Sequence, residues 1–165
     1  MSDSGVRIEA ARERDAANIL ELIRGLAEYE QLSHEVVATE QQLRAALFGP
    51  RPAAEVLMAW NGDTAVGFAL YFGSFSTFVG KPGIYLEDLF VLPAWRGRRI
   101  GAALFAAVAR IAVERDCGRM EWSVLDWNEP ALDFYRRQGA RPLDEWTMQR
   151  LTGVALRRAA GLTPP

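Results

Sequence analysis

The sequence predicts one α/β (α+β) domain: a mixed, mostly antiparallel sheet with one central parallel strand pair and helices on both faces. Three observations carry this. A chain of 165 residues suits one continuous core. Its apolar periodicities run in the order β-α-α-β-β-β-α-β-α-β. The stretch from Ile84 to Trp127 reads as a β-loop-α-β unit, whose two strands must be parallel with a right-handed crossover. No repeat, low-complexity tract or long linker divides the chain, so residues 1–165 are expected to form a single domain.

Val6–Ala10 alternates apolar and charged residues and predicts a strand. Asp15 is placed to cap a helix with its apolar stripe at Ile19, Leu22, Ile23 and Leu26. Thr39 with Gln42 fits a capping box ahead of Leu43, Ala46 and Leu47, and Gly49-Pro50 stops that helix. Val56–Trp60 and Thr64–Phe72 are apolar runs joined by Asn61-Gly62-Asp63, a hairpin signal. Ser74 to Gly83 reads as a loop and Ile84–Val91 as a strong strand. A helix follows with a stripe at Ile100, Leu104, Val108 and Ile111, then a strand over Met120–Trp127. Asn128 is placed to cap a short helix whose first turn tolerates Pro130 and which ends at Gly139. Trp146–Leu151 predicts a last strand, and the residues after Gly153 a short helix.

Composition narrows the function. Half the residues are hydrophobic and the formal net charge is −2, which gives no electrostatic ground for nucleic-acid binding. Cys117 is the only cysteine, so no internal disulfide is expected. His34 has no partner at metal-ligand spacing, and no metal is expected. The first ten residues lack the basic and apolar regions of a signal peptide. The longest apolar stretch, Ile100–Val113, is broken by Arg110 and too short to span a bilayer. A cytoplasmic protein that binds no membrane is the expectation.

Between the Ile84 strand and the helix after it lies Arg96-Gly97-Arg98-Arg99-Ile100-Gly101. Unpaired N–H groups at a helix start sit at the positive end of the macrodipole and form an anion site. Glycine allows a close approach of the backbone, and arginines suit phosphate oxygens. The turn lacks the Gly-Lys-Ser/Thr ending of a P-loop and the three-glycine spacing of a dinucleotide fingerprint.

The run from Tyr85 to Gly101, Tyr-Leu-Glu-Asp-Leu-Phe-Val-Leu-Pro-Ala-Trp-Arg-Gly-Arg-Arg-Ile-Gly, resembles the acetyl-CoA motif of the GNAT N-acetyltransferase superfamily. So does Asp126-Trp127-Asn128-Glu129-Pro130 with Phe134-Tyr135. Within that superfamily the chain is similar to diamine (spermidine/spermine-type) acetyltransferases and their bacterial relatives, from Val6 to Leu151. There are two departures. Arg99 stands where the pattern has its first glycine, which backbone binding tolerates if the φ there is negative. The loop Ser74-Phe75-Ser76-Thr77-Phe78 lacks the usual acidic and tryptophan residues, which weakens the case for a polyamine.

The resemblance implies acetyl-CoA as acyl donor and a primary amine as acceptor. It implies donor contacts by Leu89, Phe90 and Val91, by Arg96, Gly97, Arg98, Arg99, Ile100, Gly101 and Ala102, and by Asn128 and Pro130. An alkylamine is almost wholly protonated at neutral pH, so a base must remove its proton; Glu87 is the candidate. Alternation sets Glu87 and Asp88 on opposite faces and so in separate roles. Main-chain N–H groups of Leu89, Phe90 or Val91 are candidates to stabilise the oxyanion. Tyr135 matches the family's general acid toward the departing thiolate. Tyr29 and Glu30 match amine-site positions, Glu87 attracts the incoming ammonium there, and Glu145 falls near another acidic substrate position, with a different gap before Trp146. A homodimer with C-terminal strands in the contact, anchored here by Trp146 and Met148, is also implied. Three alternatives remain open: a protein lysine or N-terminal acetyltransferase, a non-catalytic acyl-CoA sensor, and a general nucleotide-binding domain.

Overall fold

The computed structural model describes residues 5–162; residues 1–4 and 163–165 of the expected domain lie outside it. The chain divides after Ser123 into a larger unit and a smaller one that begins at Val124.

The larger unit is built on five strands: β1 (Val6–Ala10), β2 (Glu55–Asn61), β3 (Thr64–Ser76), β4 (Lys81–Val91) and β5 (Met120–Glu121). They lie in the order β1-β2-β3-β4-β5, antiparallel except for the β4–β5 pair. The mixed sheet is as predicted, but its parallel pair lies at the edge rather than the centre. The strand expected over Met120–Trp127 shortens to two residues, and Trp146–Leu151 forms no strand beside it.

Three helices cover the sheet: α1 (Ala16–Tyr29), α2 (Glu40–Phe48) and α3 (Ile100–Glu114). Alternation decides which side chains each meets. Val56, Met58, Phe68 and Phe90 pack with Ile19 and Leu22 of α1 and Leu47 of α2. On the other side a Cβ at Gly67 would come 3.4 Å from Cδ1 of Leu104 in α3. Residues of both parities in the middle of β2 are therefore buried, the pattern of a strand covered twice.

Local signals acted as the sequence predicts at α2. Thr39 Oγ1 accepts from Gln42 N at 3.2 Å, and Gln42 Oε1 accepts from Thr39 N at 2.9 Å, a closed capping box. Asp15 behaves differently. It ends a 3₁₀ turn in helical conformation, and its carboxylate accepts from Arg12 N at 2.8 Å rather than capping α1. The predicted loop Ser74–Gly83 contracts to a turn over residues 77–80, because β3 and β4 stay paired down to Ser76 and Lys81. Ser76 Oγ closes that turn by accepting from Val79 N at 3.2 Å. The turn residues drew the sequence expectation; the cross-strand ladder overrides them.

The smaller unit holds α4 (Glu129–Arg137) and α5 (Gly153–Ala159), with irregular chain between them. Asn128 caps α4 through Oδ1, which accepts from Ala131 N at 3.4 Å. Trp146 is 74% exposed and Met148 65%. Their alternation reads as a strand in the sequence, but an isolated strand has no ladder to satisfy its backbone and no face to bury.

Candidate functional site

β4 positions the chemistry of the larger unit. Leu70 pairs with Asp88 and Tyr71 with Leu86, so Glu87 is the extra residue of a β-bulge. The bulge interrupts the alternation on which the separation of Glu87 from Asp88 rests. Glu87 is exposed and Asp88 is partly buried. Burial, then the negative charges of Glu87 and Glu30, pushes the Asp88 carboxyl up to about 7. Glu30 caps the C-terminal end of α1, and burial raises its carboxyl as well. Three carboxylates from two elements thus share one field. Asp88 carries no assigned role in the sequence motifs; two adjacent acids in an apolar strand are the available signal.

Past the bulge, β4 loses its parallel neighbour. Pairing with β5 ends at Tyr85 opposite Glu121, and no strand of the described residues pairs with that edge of β4 beyond it. Leu92 N donates to Val66 O of β3 at 2.9 Å. Amides alternate in direction along a strand, so the Phe90 N–H also faces β3, and those of Leu89 and Val91 face the open edge. This corrects the expectation for Phe90. Its N–H is turned toward β3, and its ring is buried among Ile19, Leu22 and Phe68. Leu89 and Val91 remain as outward donors on the edge.

The turn into α3 is held by Arg96. Its Nε donates to Val91 O at 3.0 Å, and its guanidinium lies 4.5 Å from the Tyr29 ring centre and 5.5 Å from that of Phe90. Stacking on two rings fixes the arginine. Arg96 and Tyr29, expected as ligand contacts, are seen here tying the end of α1 to the end of β4. Arg98 stacks on Trp95 at 4.5 Å.

Two residues of this turn have positive φ: Gly97 at 77° and Arg99 at 62°. The expectation of a negative φ at Arg99 is overturned. Arg99 is the left-handed residue immediately before α3, a conformation that costs a non-glycine about 1 kcal/mol. A left-handed residue followed by a right-handed one points successive N–H groups into one concavity, a nest for anions, here at the start of a helix. Gly101 follows in the first turn, where an added Cβ would touch only Val91 Cγ2 at 3.7 Å. Arg98, Arg99 and Ala102 also line a cleft of about 420 Å³ beside α3, floored by Val6, Ile8 and Ala103.

In the smaller unit, Tyr135 and Phe134 stack edge to face at 5.3 Å on α4. Asn128, 8% exposed, and Pro130 form the start of that helix. Arg136 pairs with Asp133 and Glu129 on the same helix. Glu145 is exposed in the irregular chain that follows. Among the described residues no group of three His, Cys, Asp or Glu is placed to hold a metal ion. Nor is any described helix long and apolar enough to cross a membrane.

The chain has relatives among known proteins. The sequence model of the acetyltransferase (GNAT) family matches residues 17–140. A thialysine N-epsilon-acetyltransferase of Bos taurus is 44% identical, over 94% of this chain and 98% of its own. An L-ornithine N5-acetyltransferase of Arabidopsis thaliana is 32% identical, over 91% of this chain and 86% of its own. Among solved structures, an integron cassette protein from the mobile metagenome of V. cholerae superposes with a TM-score of 0.79 at 28% identity, covering 94% of this chain and 98% of its own.

Proposed function

The chain belongs to the acetyltransferase (GNAT) family, and from that premise we propose that it acetylates the side-chain amine of a lysine- or ornithine-like amino acid. Family membership makes it an N-acetyltransferase that uses acetyl-CoA as acyl donor. The relatives' activities support a small-molecule amine as acceptor.

The observation that carries the finer reading is the carboxylate group at the β4 bulge. Glu30, Glu87 and Asp88 give one patch of negative potential beside the open edge. A short diamine or a basic amino acid arrives as an ammonium, and such a field attracts it. Asp88 then holds the cation, and the arriving charge favours its ionised form. Glu87, exposed on the bulge, takes the proton through water. The donor supplies an acyl group already activated as a thioester. Leu89 and Val91 N–H groups orient it along β4, and the nest at Gly97–Ile100 grips its diphosphate. Tyr135 delivers a proton to the leaving thiolate, an assignment that rests on its motif. Asn128 and Pro130 are assigned to the donor, and Glu145 to the amine, on the same ground.

The protein is proposed to act in the cytoplasm as a homodimer. Exposed Leu143, Trp146, Met148 and Leu151 supply apolar anchors for such a contact. The deciding experiment is a panel of amines assayed for CoA thiol release: thialysine, lysine, ornithine, putrescine, spermidine and a lysine-containing peptide. Turnover is expected to be highest with the free amino acids. Faster turnover of the peptide would replace this proposal with protein acetylation, and silence toward every amine would support a sensor.

A further inference from the structure

Arg99, beside Arg98, is the feature that the family pattern does not explain. Arg99 replaces a glycine at a position whose φ of 62° favours glycine, so its side chain is present against a conformational penalty. Both arginines line the cleft of about 420 Å³ whose floor is Val6 and Ile8 of β1 with Ala103 and Ala106 of α3. That volume lies in the range of sites that hold a nucleotide-sized group. Among the described residues neither guanidinium is ion-paired with a carboxylate, whereas Arg7, Arg24, Arg44, Arg115, Arg119 and Arg136 all are. Trp95 stacks beneath Arg98 and limits its freedom.

The cleft and the open edge of β4 lie on opposite flanks of the α3 start. Val6 and Ile8 belong to β1 at one end of the sheet order, while the open edge faces the β5 end. A donor laid along β4, with its diphosphate at the nest, still carries a second anionic group on its adenosine. We propose that this cleft receives the adenosine end of the donor and that Arg98 and Arg99 pair with its 3′-phosphate. The inference rests on the acetyl-CoA reading and adds the part of the donor these side chains select. A phosphate monoester carries up to two negative charges at neutral pH, and planar guanidinium groups bind it in a bidentate manner. The small side chains of Ala103 and Ala106 leave room for the ring system above an apolar floor.

Titration calorimetry with CoA and with 3′-dephospho-CoA tests this on the full chain. Wild type is expected to bind CoA at least about tenfold more tightly than the dephospho form, the worth of one charged hydrogen-bonded contact. Arg99→Gly should bring CoA affinity down toward that of dephospho-CoA, with a smaller loss for dephospho-CoA. Because glycine accepts the left-handed conformation, the variant should melt no lower than wild type. Arg98→Gln should act in the same direction. Equal binding of the two ligands by wild type would overturn the proposal, as would an equal loss for both in Arg99→Gly. Absence of binding by both ligands would instead remove the donor reading on which it stands.

Discussion

Replacing Asp88 with asparagine should remove a pH-dependent destabilisation from the larger unit. The Asp88 carboxyl is pushed from an ordinary 3.8 to about 7, chiefly by burial and then by Glu87 and Glu30. It is therefore about a thousandfold weaker as an acid when folded, worth about 4 kcal/mol at about 1.4 kcal/mol per tenfold. The side chain is only partly buried, and solvent relaxation brings the expected effect nearer about 2 kcal/mol. Between about pH 4 and pH 7 the folded protein holds a proton at Asp88 that the unfolded chain has released. Stability is thus fully present below the unfolded value and falls as pH rises through 7. Asparagine matches the shape and carries no charge, so the variant should gain over wild type across that window. At pH 8 the gain should be about 2 kcal/mol, or roughly 4–8 °C in melting temperature for a chain of this size. Urea unfolding of both proteins from pH 4 to pH 8 measures the difference. Glu55, whose carboxyl the Arg115 side-chain hydrogen bond lowers despite partial burial, titrates in both and cancels. A difference that stays flat over the range would refute the placement of Asp88 in a desolvated, negatively charged setting.

Tyr135→Phe should lower turnover by about ten- to a thousandfold and leave donor affinity nearly unchanged, read from steady-state kinetics beside calorimetry. Unchanged turnover would remove Tyr135 as the acid. Gly25→Ala should destabilise the fold by about 1 kcal/mol in denaturant titration. A Cβ there would stand 2.9 Å from the Phe90 ring, and overpacking of about 2 kcal/mol outweighs the helical gain of about 1 kcal/mol. A more stable variant would show that Phe90 yields without cost.

The sequence by itself determined the parts that depend on neighbours a few residues away. The Thr39–Gln42 box, the turn between Asn61 and Thr64, the Asn128 cap and the stripe of α3 all follow from local hydrogen bonding and from side-chain period. So did the motifs that point to the family, because the match lies in residue type at fixed spacing. The tertiary structure decided the rest, since the forces there act between residues far apart in the chain. Pairing with β3 inserted Glu87 as a bulge and turned the Phe90 amide away from the open edge. The approach of α1 brought Glu30 to Asp88 and Tyr29 under Arg96, which no periodicity records. Trp146–Leu151 forms no strand, and the turn into α3 imposed a left-handed backbone on Arg99. A carboxylate's proton affinity and an arginine's backbone strain are set by the surrounding atoms, and those atoms come together only when the sheet closes against its helices.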